Sequence, residues 1–169
     1  ASSLSTQFIS YSFIALFAAS LVVAALIVAR YRKIKLAIPI ILVNFSEVVI
    51  LFSIIGGFGT LDLAAMAGII TLIGTGVDDQ IIITDEVLRK KHKASGEEEE
   101  ITAIERVKRA FSIIMTNASV VIVAMLPLLL SGIVEITGFA LATILGVLIG
   151  VFITRPAFGV IIEKLYPRA

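Results

Sequence analysis

Apolar residues run along this chain in five long blocks, at approximately residues 7–29, 36–56, 61–84, 111–131 and 137–162, separated by three short polar stretches and one long one. A helix that crosses a bilayer needs about 20 predominantly apolar residues, and each block reaches that length. The blocks are apolar on every face rather than alternating, so the pattern predicts spanning helices and argues against a membrane barrel. The expected fold is an all-α integral membrane protein, a five-helix transmembrane bundle filling residues 1–169, with residues 85–109 as its sizeable polar segment.

Inside that segment Ile101, Ile104, Val107 and Phe111 recur at helical spacing after the run Glu97 to Glu100, and Glu105, Lys108 and Arg109 take the opposite face. This predicts an amphipathic helix able to lie along the inner membrane surface. The glutamate run also reads simply as a solvated helix start. Pro39 is expected in the first turn of the second helix, where a missing N–H does no harm. Pro127 and Pro156 lie deeper and predict bends. Ala142, Gly146, Gly150 and Thr154 repeat every fourth residue, which predicts a groove of small side chains for a closely packed neighbour.

Composition sharpens the picture: 59% hydrophobic and 16% charged residues exceed what a soluble domain of this size can bury. Charge then sets orientation, because basic residues gather in the loops that stay in the cytoplasm. Arg30, Arg32, Lys33 and Lys35 separate the first two blocks, and Arg89, Lys90, Lys91, Lys93, Arg106, Lys108 and Arg109 separate the third and fourth. Arg155, Lys164 and Arg168 complete the 14, while residues 1–6, 57–60 and 132–136 carry none. The expected arrangement is multi-pass in the cell membrane, amino terminus outside and carboxyl terminus cytoplasmic. With charge segregated by side, a nucleic-acid partner is not expected. Cysteine is absent, the single histidine, His92, lacks a companion ligand, and no glycine loop is followed by the Lys and Ser/Thr of a nucleotide site. No cofactor, metal or enzymatic role is expected. The first block lacks the flanks of a signal peptide, and the chain starts without methionine, so the reading is of a fragment.

The chemistry-bearing stretch is Gly74-Thr75-Gly76-Val77-Asp78-Asp79-Gln80, continuing to Asp85 and Glu86. An aspartate at a helix centre costs about 2.5 to 3.5 kcal/mol to insert, so acids inside a span call for a reason, and the default is proton or ion movement. Adjacent helical residues lie about 100° apart, so Asp78 and Asp79 are expected to differ in burial. Thr71, Gly74, Thr75, Asp78 and Asp85 form a small, polar face fit to admit water; Asp79 shares its face with Leu72, Gly76 and Glu86. Asp78 and Asp79 are therefore the candidate proton relay, with Thr75, Gln80, Glu47, Thr116 and Asn117 as supporting polar residues. Either acid could instead accept a hydrogen bond from Asn44, Ser46, Thr116, Asn117 or Ser119 and only fix packing. Asp62 and Glu135 are expected at the outer surface in solvent.

These residues resemble the SecD and SecF export subunits, relatives of the resistance-nodulation-division transporters. The family pattern Gly-x-x-Val-Asp-Ala-Asn-Val-Leu-Ile-Phe-Glu is similar to Gly74 to Glu86, with Val77-Asp78 in place. Lys108-Arg109-Ala110-Phe111-Ser112, Gly138-Phe139-Ala140 and Phe152-Ile153-Thr154-Arg155 resemble further family elements in order. Asp79-Gln80 and Thr116-Asn117-Ala118 stand where the bacterial pattern has other residues, and these departures look archaeal. The resemblance implies half of a transporter unit that has lost one upstream helix and an external domain. It implies assistance to Sec-dependent protein export, driven by protons on Asp78, with SecF, the Sec channel, membrane lipid and the translocating polypeptide as partners. Two rival readings stand beside it. One is a proton-driven exporter of lipids or small molecules from the same superfamily. The other is an intramembrane aspartyl protease, since Gly74 to Asp78 resembles Gly-x-Gly-Asp with the aspartate one residue late and Glu47 as a second acid.

Overall fold

The computed structural model describes residues 2–32, 34–58, 62–88 and 103–165. They form α1 (Ser2–Tyr31), α2 (Ile34–Phe58), α3 (Leu63–Leu88), α4 (Ala103–Leu129), α5 (Val134–Ile149), a π-helical turn (Gly150–Thr154) and α6 (Arg155–Leu165). Five helical stretches are long and apolar enough to cross a membrane, the fifth being the continuous rod Val134–Leu165 built from α5, the π turn and α6. No strand occurs among the described residues.

Helix α3 is the axis of the bundle: half of its spanning stretch is buried, against 11% for α1 and α4. Its partner is α5, which runs parallel to it, because small residues let the two backbones approach. A Cβ on Gly68 would stand 3.0 Å from both Ala142 Cβ and the Phe139 carbonyl. One turn on, Leu72 fills the space over Gly146, where a Cβ would lie 2.6 Å from Leu72 Cδ2. The repeat of small residues in the fifth block is therefore occupied at Gly146 by α3. Gly150 has a different use: a Cβ there would meet the Arg155 guanidinium, 2.6 Å from Cζ.

The helix ends explain the register. Asp62 is not simply solvated; its Oδ1 accepts a 2.7 Å hydrogen bond from the Ala65 N–H, capping α3, and it also lies against Gly138 at the start of α5. Gly132 adopts φ 73° in the turn joining α4 to α5, a conformation open to glycine. At the opposite end Tyr31 Oη donates to Asp85 Oδ1 at 2.6 Å and Arg30 Nη2 pairs with Asp85 Oδ2 at 2.8 Å, tying α1 to α3.

Two expectations change. Helix α2 starts at Ile34, so Pro39 falls beyond the first turn. Helix α4 starts at Ala103 and runs unbroken to Leu129, so the basic stretch before the fourth span is the beginning of that span rather than a separate surface helix. Val107 and Phe111 face Gly159 of α6, with Val107 Cγ1 3.3 Å from where its Cβ would be; residues 89–102, with the glutamate run, His92 and Ile101, lie outside the described residues. Around Pro156 the distortion takes a definite form. Proline cannot donate, and its ring crowds the carbonyl four residues back. The helix widens just before it, and the Arg155 N–H reaches Gly150 O, five residues away.

Candidate functional site: a buried arginine between two carboxylates

Arg155 opens α6 directly after the π turn, yet it is 1% exposed and its side chain turns into the bundle. The charge count grouped it with Lys164 and Arg168 although it falls inside the fifth block, 137–162, and its burial sets it apart from them. Its Nη1 donates to Glu47 Oε2 of α2 and, at 2.7 Å, to Thr154 Oγ1; its Nε donates to Asp79 Oδ2 of α3 at 3.2 Å. Thr154 Oγ1 in turn donates to Glu47 Oε2 at 3.0 Å. Three helices and the π turn thus meet on one guanidinium. Glu47 is buried, while the Asp79 side chain retains 16% exposure.

Local sequence makes room for this. A Cβ on Gly76 would stand 3.1 Å from Arg155 Nη2, 3.1 Å from Asn44 Oδ1 and 3.5 Å from Glu47 Oε2, so a bare backbone on α3 lets the polar ends of α2 and α6 converge. Gly150 clears the other side. A buried ion must be paired, and here one cation faces two acids.

The remaining candidates sort by face. Asp78 is exposed on the flank of α3 and makes no hydrogen bond or ion pair among the described residues; Thr71, Gly74 and Asp85 are exposed with it. The small, polar face expected to admit water therefore points away from the bundle, and the face of Leu72, Gly76 and Asp79 is the buried one. Thr75 is half-buried and its hydroxyl bonds Leu72 O at 3.3 Å. Gln80 is wholly buried next to the cluster's stripe on α3. Thr116 and Asn117 are exposed on α4, and the hydroxyls of Ser46, Thr116 and Ser119 bond their own helices at Leu42 O, Ser112 O and Met115 O. None of these three hydroxyls supports an acid. Arg155 and Thr154 were not among the candidate site residues read from the sequence, Thr154 having been read only as part of the small-residue groove. The signal was there: an arginine inside an apolar block longer than a bilayer requires needs a buried partner.

The fold and this centre define a polytopic α-helical membrane protein with an ionic cluster locked inside its helix packing. Residues 1–155 match the family described as "Protein export membrane protein SecD/SecF, C-terminal", and the chain belongs to that family. It is 44% identical over 170 residues to the protein-export membrane protein SecD of Methanocaldococcus jannaschii, covering 96% of this chain and 39% of that protein. It is 47% identical over 148 residues to SecD of Methanolacinia petrolearia, covering 88% and 29%. With SecD of Methanopyrus kandleri it shares 40% over 164 residues, covering 96% and 40%. The chain thus spans well under half the length of these relatives.

Proposed function

We propose that this chain is the membrane part of a SecD-type subunit assisting Sec-dependent protein export, and that proton movement through Asp79 drives it. The supporting observation is the buried guanidinium shared by Asp79 and Glu47. Protonating Asp79 releases its hold on Arg155 Nε while Glu47 and Thr154 keep the other side of the guanidinium. A proton crossing a membrane potential supplies about 2.3 kcal/mol per 100 mV, and several protons suffice to shift helix packing. Asp78, next in sequence but exposed on the outward flank, is open to cover by a second membrane subunit of the SecF kind. The Sec channel, the translocating polypeptide and surrounding lipid complete the setting, with the end bearing Asp62 outside and the end bearing Asp85 cytoplasmic.

The protease reading is weakened because Glu47, the second acid it needs, is bound to Arg155 rather than to Asp78. The test is secretion by cells carrying full-length protein with Asp78→Asn, Asp79→Asn or Glu47→Gln, with membrane levels checked. Loss of secretion in Asp79→Asn at normal abundance supports the proposal; normal secretion by Asp79→Asn overturns it.

A further inference from the structure

Gln80 is completely buried, and neither its Oε1 nor its Nε2 has a hydrogen-bond partner among the described residues. Two other buried atoms share that condition, Asn44 Oδ1 and Glu47 Oε1, in residues 4% and 2% exposed. Asn44 and Glu47 lie three apart on α2, and Gly76 and Gln80 four apart on α3, so each pair occupies one helix face. The two faces meet where Gly76 approaches Asn44 Oδ1. Gln80 follows one turn, about 6 Å, further along α3. The next turn brings Thr84, also fully buried, whose hydroxyl donates to Gln80 O at 2.7 Å and keeps lone pairs to accept with. Beyond it Asp85 marks the end of α3 tied to Tyr31 and Arg30.

We propose that Gln80, Asn44 and Glu47 bind water between α2 and α3, and that this water, continued by Thr84, is the route by which protons leave the Arg155 cluster toward the Asp85 end. Buried polar atoms in proteins are paired, and an internal water that satisfies two to four of them is the common solution. An amide suits the position because it both donates and accepts, so it supports a water chain of either polarity without adding charge. A metal cation is the less fitting occupant: the oxygens are hard donors, but the Arg155 guanidinium lies within the same convergence over Gly76 and repels it.

The route rests on the proton reading above; the water does not, and the two are measured separately. For the water, full-length protein in lipid nanodiscs is examined by infrared spectroscopy in ordinary and heavy-oxygen water. The expected result is an O–H stretching band that shifts in heavy-oxygen water and disappears in Gln80→Leu and in Asn44→Leu. Gln80→Met serves the same purpose if Gln80→Leu does not insert. Absence of the band in wild type, its persistence in the variants, or its dependence on added sodium overturns the site. For the route, proton-driven export into inverted vesicles is expected to be lost in Gln80→Leu and slowed in Thr84→Val. Wild-type export by Gln80→Leu overturns the route even where the band is lost. Wild-type export by Asp79→Asn defeats the proton reading and the route with it, and leaves the band to decide the water.

Discussion

Replacing Arg155 with methionine removes the cation and keeps much of the side-chain volume, so its consequence can be worked from the partners left behind. Glu47 loses its ion pair and keeps only the Thr154 hydroxyl, and its Oε1 has no partner to begin with among the described residues. At 2% exposure it cannot reach water without opening the bundle. Asp79, with a 16% exposed side chain, can be rehydrated. Breaking a buried pair by removing one partner costs about 3–5 kcal/mol, and here the larger share falls on Glu47. Removing both partners is far milder, since an apolar replacement for a buried ion pair is often neutral. Arg155→Met is therefore expected to destabilise the full-length protein by about 3–5 kcal/mol in reversible detergent unfolding, and Glu47→Leu combined with it to recover most of that loss. A loss below about 1 kcal/mol for Arg155→Met, or simple additivity of the two substitutions, refutes the cluster as drawn.

Other outcomes follow from the same geometry. Gly146→Ala forces a methyl against Leu72, which is itself only 3% exposed, and is expected to destabilise by about 1–3 kcal/mol, with Leu72→Ala relieving part of it in the double variant. Asp62→Ala removes the cap of α3 and is expected to lower stability by about 0.5–2 kcal/mol in the same unfolding assay. The chain contains no cysteine, so single cysteines introduced at the exposed Leu130 and Lys108 in a cysteine-free full-length background report topology directly. An impermeant thiol reagent added to intact cells is expected to label Leu130→Cys and not Lys108→Cys; the reverse pattern inverts the proposed orientation.

The five spans were legible because apolar blocks of bilayer length have no other stable home, and the Gly146 groove because small residues at every fourth position leave one face bare. The ionic centre was legible only in parts. Adjacent acids on one helix had to point in different directions, but which one points inward depends on the packing of α3 against α2 and α5, and the buried face proved to be the one carrying Gly76 rather than the one richer in polar groups. Glu47 stood out as an acid in a span. Its partner did not, because Arg155 was counted with the cytoplasmic charges, although it lies well inside the fifth apolar block. The π turn that opens before Pro156 and the Gly150 slot that receives the guanidinium are consequences of backbone geometry that no residue periodicity announces.

If a proton on Asp79 works through the Arg155 cluster to move polypeptide, export into inverted vesicles registers it when run with and without an imposed proton gradient. Wild type is expected to export faster when the gradient is present, and Asp79→Asn at equal abundance to export at one slow rate in both conditions. An Asp79→Asn protein that still responds to the gradient as wild type does excludes Asp79 as the proton carrier.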